Sequence, residues 1–277
     1  MVHVSALVSY PVKGCAGTPL DTAAVWDIGL QHDRTFMVVD AEGRFRSQRN
    51  DPNMARIRPT VLDGGARLEL SAAGVEDLVV EVRPLAPRRR VLVQRTEVTA
   101  ADQGDEAAEW FSAVLGNPSR LVTVAPEHER VSAGEYEGTA AFADAHALLI
   151  ASEASLDELN SRILARGAAP VPMDRFRPNI VLTGWPEPHT EDRARRLSIG
   201  TAEFGYAKLC VRCTVPMVDQ DTGRRAGPEP IRTLADYRRD PGGGVTFGMK
   251  AAVLRTGSLS VGDEVCVDRW AELSPAS

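Results

Sequence analysis

Cysteine is scarce in this chain: Cys15, Cys210, Cys213 and Cys266 are the only four in 277 residues. That density rules out a disulfide framework and leaves any functional cysteine to act as a thiol or thiolate. Long apolar runs are missing too. Nothing approaches the ~18 consecutive apolar residues of a membrane span, and Met1–Tyr10 has neither the basic region nor the extended apolar stretch of a secretory leader. A soluble, cytoplasmic protein is therefore predicted, with no membrane among its partners. Basic charge is in deficit, with Lys+Arg at 32 against Asp+Glu at 38 and a net charge of -6. No global field collects phosphate backbones, and nucleic acid is not expected as a partner. Phosphate-loop, dinucleotide and G-x-S-x-G signatures are absent, and Gly242, Gly243 and Gly244 lack the lysine and following helix of a phosphate loop. Four-cysteine iron–sulfur spacing and haem motifs are absent as well.

What is present has an ordinary globular composition, 43% hydrophobic and 25% charged, with enough length for one large domain or two ordinary ones. The first hundred or so residues carry short alternating runs. Arg34–Val39 is closed by the turn Asp40–Gly43 and answered by Arg44–Arg49, and Pro59–Leu62 joins Arg67–Leu70 through Asp63, Gly64 and Gly65. These read as hairpins. Helical spacing appears over Ala101–Gly116, where Trp110, Phe111, Val114 and Leu115 recur ahead of Gly116. Residues 117–145, interrupted by Pro, Gly and Glu, read as a long surface connection. A second helix is predicted over Leu156–Arg166, because Ser155–Glu158 matches the capping box and Leu156, Leu159, Ile163 and Leu164 make one apolar stripe. Further short strands are expected at Asn179–Thr183, Glu203–Cys210 and Lys250–Arg255. The fold class is read as mostly β with α (α+β), in barrels or a sandwich.

Cys210 and Cys213 are the only close cysteine pair, and a single C-x-x-C suits half a zinc site, a redox dithiol, or two thiols of which one works. None of the five histidines is paired at ligand spacing. Three other segments concentrate unusual polar residues: Tyr10 to Cys15 with Lys13 and Gly14, the pair Asp33 and Arg34, and Arg175 to Asn179. In the last of these, Arg177 and Asn179 precede a buried-looking strand and would present a bidentate fork and an amide to an anionic ligand.

Tyr10-Pro11-Val12-Lys13, followed by Gly29 through Arg34, resembles the signature of the MOSC N-terminal β-barrel domain. Ser152–Arg162, Phe176–Ile180, Cys213–Gly223 and Thr233–Arg238 resemble a MOSC domain, the module also found at the end of molybdenum cofactor sulfurases. In order and spacing these segments are similar to the mitochondrial amidoxime-reducing component and its bacterial relatives over nearly the whole chain. The resemblance implies two packed β-barrel domains, residues 1–118 and 119–277, with a molybdenum cofactor (Mo-molybdopterin) at their interface. It implies a metal ligated by one cysteine thiolate, at the position of Cys213 and not Cys210. The pterin phosphate and rim positions of those relatives fall on Lys13, Arg34, Asn160, Ser161, Arg177 and Asn179. The chemistry agrees, since a soft thiolate suits molybdenum and a dianionic phosphate suits Lys and Arg. Gly14 departs from the pattern: relatives often carry serine there, and without the hydroxyl only a backbone N–H is left for the phosphate. The Pro241–Gly244 segment departs as well, replacing longer and more polar sequence.

The activity so implied is reduction of small N-oxygenated compounds such as amidoximes, N-hydroxylated bases or hydroxamic acids. Electrons would come from a ferredoxin-like or other external donor. Two other readings stay open: a persulfide sulfurtransferase using Cys213, alone or with Cys210, and a non-catalytic carrier of the cofactor. Asp219 and Asp221 read as residues of a structural turn.

Overall fold

The computed structural model describes residues 1–272. An eight-stranded sheet runs, edge to edge, through Val265–Trp270, Ala194–Ile199, Ala202–Arg212, Val245–Arg255, Leu148–Ser152, Ile180–Thr183, His3–Ser9 and Thr18–Leu20. Every pairing in it is antiparallel except that of Leu148–Ser152 with Ile180–Thr183. A parallel pair cannot be joined by a hairpin, and helix α2 (Glu153–Ala165) lies in the connection between those two strands. The amino-terminal strand belongs to this sheet: Val4 lies opposite Leu182 and Leu7 opposite Ile180. Beside it stands a five-stranded sheet of Arg88–Val93, Thr96–Asp102, Arg120–Val124, Phe36–Val39 and Val12–Lys13. The expected hairpin of Arg58–Leu62 with Arg67–Ser71 forms and is extended by Leu78–Glu81.

The two barrels expected from the sequence do not form. Among the described residues the architecture is mixed α/β with several sheets, and none of them closes on itself. The large sheet curls until His3 meets Glu264 in an isolated bridge. Closure stops there because Thr18–Leu20 already pairs with the amino-terminal strand at Leu7–Ser9. The pairing of the far-edge strand Val265–Trp270 with Ala194–Ile199 also shifts register twice, between Ala194 and Leu197. Alternation of apolar and polar residues marks any half-buried strand, whether its sheet is open or closed, so it carries no information about closure.

Helix α1 (Asp105–Leu115) starts later than the apolar spacing suggests, because Thr96–Asp102 continues as a strand and Gly104, at φ 95°, makes the turn. Helix α2 starts earlier than its apparent capping box. Its N-cap is Ser152, whose Oγ accepts from the Ser155 N–H at 3.3 Å. The fully buried Glu191 carboxylate accepts from the Ser152 N–H (3.2 Å) and from the hydroxyls of Ser152 (2.8 Å) and Ser155 (2.7 Å). That charge sits at the positive end of the helix dipole. Leu159 and Ile163 pack with Leu234 of helix α3 (Ile231–Tyr237) and with Phe176 and Phe247, whose rings stack 3.8 Å apart. Leu164 points outward instead of completing the stripe.

Residues 117–145 are not all surface. Arg120–Val124 is a central strand, and Ala140–Ala143 with His146 and Ala147 are buried without regular structure. The Arg130 guanidinium pins this segment by donating to the Ala141 and Ala143 carbonyls. Buried backbone polarity is met there by a side chain in place of a ladder.

Candidate functional site

The buried segment, the start of the chain and the ends of central strands border one cavity of about 210 Å³. Lys13, Arg34, Arg46, Arg49, Arg177, Arg212 and Lys250 line it, against the single carboxylate Asp144. In a chain of net charge -6 this is a local inversion of sign, and it marks a site for anions.

Arg34 and Arg177 lie over the ring of Tyr10, their guanidinium carbons 4.6 and 4.2 Å from its centroid. The Tyr10 hydroxyl donates to the Pro178 carbonyl at 3.2 Å. Burial pushes its pKa up to about 12 against the pull of the two arginines, so the ring is a neutral platform for both cations. Arg34 donates to Asp33 (2.5 Å), to Asn179 Oδ1 (3.0 Å) and to the Arg177 carbonyl (3.3 Å). Arg177 donates through Nη1 to Gln220 Oε1 at 3.2 Å, while its buried Nη2 has no partner. Gln220 in turn forms a reciprocal amide pair with Gln48, at 2.9 and 3.0 Å. Arg34 and Arg177 hold φ of 50° and 56°, left-handed values that cost a residue with a side chain roughly 1–2 kcal/mol. Gln94, also in the lining, has φ 58°, and Ala145, between Asp144 and His146, has φ 70°. Strain of this kind persists only where the surroundings enforce it, and it clusters at functional sites.

The Lys13 ammonium pairs with the Asp144 carboxylate and donates to the Phe142 carbonyl at 2.8 Å. Lys250 donates to the Asp144 carbonyl at 2.7 Å. Burial lowers the Lys13 pKa, with Asp144 opposing. Burial also works against the Asp144 carboxylate, but Lys13 and Lys250 outweigh it and hold its pKa below the ordinary carboxylate range. Asn179 is fully buried and its amide is committed to protein: Nδ2 donates to the Val8 carbonyl (3.1 Å) and Asp33 Oδ1 (2.9 Å), and Oδ1 accepts from Arg34 and from the Leu149 N–H (3.2 Å). Gly14 adopts φ 87°, and a Cβ there would stand 3.0 Å from Met54 Cε. A serine would be strained at this position.

Strand Ala202–Arg212 shifts register between Leu209 and Val211, the kind of irregularity that re-aims side chains beside sites. Cys210 is buried and accepts from Arg212 Nη1 at 3.0 Å. Cys213, just past the strand, is exposed, and both cysteines border the cavity.

Lys13, Gly14, Arg34, Arg177, Asn179 and Cys213 thus come together, whereas Asn160 and Ser161 do not line the cavity. Asn160 closes the segment after α2 through paired bonds with Val171, at 3.0 and 2.8 Å, and Ser161 is exposed. Asp219 is a turn residue: its Oδ1 accepts from the N–H and the hydroxyl of Thr222, both at 2.8 Å. Gln48, Arg49, Asp144, His146 and Lys250 line the cavity without any motif to flag them. One usable signal was rarity, since the chain has three lysines, Lys13, Lys208 and Lys250, and two of them are here.

His146 is 2% exposed and neither ring nitrogen has a hydrogen-bond partner. Its pKa falls to about 4, through burial first and then the charges of Lys208 and Lys250, opposed only weakly by the nearby Tyr136 and Ser132 backbone. A pKa lower in the folded than in the unfolded state means that folding favours the neutral ring. Its stabilising effect is complete above the unfolded value of ~6.5 and is lost as the pH falls toward the folded value. By pH 4.5 the loss should reach about 2 kcal/mol. Urea midpoints of wild type and His146→Asn at pH 7 and 4.5 check this: the wild type is expected to fall further, and equal falls would mean that the ring is not held neutral.

Residues 1–118 match the MOSC N-terminal beta barrel domain, and residues 137–266 match the MOSC domain. The mitochondrial amidoxime-reducing component 1 of Mus musculus is 34% identical over 282 residues, spanning 95% of this chain and 81% of that protein. The chain belongs to the MOSC family. The human mitochondrial amidoxime-reducing component 1 is 33% identical over 282 residues, spanning 95% of the MOSC chain and 82% of the relative. The molybdenum cofactor sulfurase of Oryza sativa subsp. japonica is 30% identical over 298 residues, covering 98% of the MOSC chain and 35% of the sulfurase. Similarity to both groups supports an enzymatic, redox function related to the molybdenum cofactor. The amidoxime-reducing relatives are named as mitochondrial, which overturns the cytoplasmic placement expected from the sequence. The lack of a secretory leader or apolar span does not by itself assign a compartment. Among the described residues, no helix is long and apolar enough to cross a membrane.

Proposed function

We propose that this MOSC chain is a molybdenum-cofactor-dependent reductase of N-oxygenated compounds, amidoximes and N-hydroxylated bases among them. In this reading the Cys213 thiolate ligates the metal and a ferredoxin-like or other external donor supplies the electrons. One observation carries it: an exposed thiol and three cations remote in sequence, Lys13, Arg34 and Arg177, border a single cavity. The substrate class follows the name shared by the amidoxime-reducing relatives.

The residues present suit such a cofactor. Among the described residues no three His, Cys, Asp or Glu side chains are grouped to hold a metal, so a metal at Cys213 needs further donors from an organic group. When bound, the cofactor supplies the two-electron chemistry that removes oxygen from an N–O group. The chain does the rest. Cys213 offers a soft ligand. Lys13, Arg34 and the unpartnered Arg177 Nη2 offer charge-assisted bonds to a phosphate. Asp33 and Asn179 hold Arg34 in position, as supporting shells do in metal sites generally.

Elemental analysis for molybdenum, with fluorescence detection of oxidised pterin, tests the reading on protein from a cofactor-producing host. Near-stoichiometric metal and reduction of an amidoxime by the loaded protein with a reduced ferredoxin are expected. Metal-free protein carrying labile sulfur on Cys213 would overturn it in favour of sulfur transfer. The dithiol variant of that rival is tested by Cys210→Ala. Because Cys210 is buried against Arg212, this change is expected to leave amidoxime turnover within about twofold of wild type. A large loss with the fold intact would point to chemistry shared by both thiols.

A further inference from the structure

Five of the cavity's seven cations fall into two groups, with Arg46 and Arg212 outside them. Arg34 and Arg177 share the ring of Tyr10 and are partly neutralised by Asp33. Lys13, Arg49 and Lys250 form the second group: Lys13 and Arg49 lie 4.8 and 5.4 Å from the Phe45 ring centroid, and Lys13 and Lys250 both bond to Asp144. The first group sets two cations against one carboxylate and the second sets three against one, so each keeps a positive surplus. Arg49 and Lys250 have no carboxylate within ion-pairing distance among the described residues. The unpartnered ring of His146 lines the same cavity.

A single phosphate neutralises one such group. The other is left with uncompensated positive charge in a partly buried cavity, an arrangement that is unfavourable unless an anion is there. We infer that Arg49 and Lys250 form a second oxyanion subsite beside the phosphate position at Arg34 and Arg177, with Lys13 common to both. It takes a carboxylate or phosphate group. The lysines act as point charges, Arg49 offers a planar fork, and the Phe45 ring gives an apolar flank. This deepens, and rests on, the reductase reading: the oxyanion is either an acidic group on the N-oxygenated substrate or a second phosphate on a cofactor that carries a nucleotide.

Titration with inorganic phosphate by calorimetry provides the test. Cofactor-free protein is expected to bind two phosphates, one lost in Lys250→Gln or Arg49→Gln and the other in Arg177→Gln. A single site indifferent to Lys250 and Arg49 overturns the inference, whether or not the protein ever takes up molybdenum. Molybdenum content measured in parallel reports separately on the reductase reading. The loaded enzyme then distinguishes the two sources. If the substrate carries the anion, a hydroxamic acid bearing a carboxylate should show a KM about tenfold below that of its methyl ester, the size of one charge-assisted contact, and Lys250→Gln should erase the difference. If the cofactor carries it, acid hydrolysis should release a nucleobase from wild-type protein and much less from Lys250→Gln. Equal KM values together with a cofactor free of nucleobase would also overturn the subsite.

Discussion

Replacing Cys213 by serine is expected to lower molybdenum retention and amidoxime turnover by more than about 100-fold, beyond the 10–100-fold that loss of a supporting shell residue brings. A hydroxyl is a harder, less acidic donor than a thiol and a poor substitute at a soft metal. The fold should be indifferent to the change, because Cys213 is exposed and lies just past the end of its strand. A thermal midpoint within a degree or two of wild type, paired with metal-free protein, is the expected result. Full molybdenum content in Cys213→Ser would move the ligand elsewhere and remove the basis of the reductase reading.

Asn179→Ala should act through stability as much as through the site. Its amide joins the amino-terminal strand, through the Val8 carbonyl, to strand Leu148–Ser152 on the far side of Ile180–Thr183, through the Leu149 N–H, and it also holds both Asp33 and Arg34. Truncation leaves several buried groups unpaired at a cost of 1–3 kcal/mol apiece where water cannot replace the bond. A loss of about 3 kcal/mol, or roughly 6–12 °C in melting temperature for a chain of this size, is expected. Asn179→Asp should do no better despite its matching shape. One of its oxygens would stand where Nδ2 now donates, 2.9 Å from the Asp33 carboxylate. A melting temperature unchanged in both variants would show that the amide is not the clamp its bonds describe.

The elements that could be read from residue order are those whose determinants are local. Asp63, Gly64 and Gly65 set a turn, the alternation on either side sets a hairpin, and that hairpin forms with Val61 opposite Leu68. The register of α2 was harder, because Ser155 satisfies the local capping pattern while the choice of Ser152 depends on Glu191, 39 residues away. Buried irregular backbone was illegible: Ala140–Ala147 has no periodicity, and its stability comes from the Arg130 guanidinium. The site divides in the same way. Lys13, Arg34, Arg177 and Cys213 sit in recognisable motifs and meet in one cavity. Asn160 and Ser161 sit in an equally recognisable motif and lie elsewhere, because the Asn160 amide already bonds Val171. Arg49, Asp144 and Lys250 sit in no motif, and only the packing of distant segments makes them neighbours.

Residue order by itself determined the inventory: one family signature, thiols without disulfide partners, strands with short turns, and a few arginines and a lysine suited to anions. Each of those properties depends on side-chain chemistry or on contacts within a few residues. Tertiary structure decided the rest: that the large sheet stays open, that the buried segment carrying Asp144 reaches Lys13 and Lys250, and that Arg34 and Arg177 share one aromatic ring. These are long-range outcomes, set when the first strand pairs with Ile180–Thr183 and brings the two ends of the site together. Local preference cannot encode them, because the groups that interact there are more than a hundred residues apart along the chain.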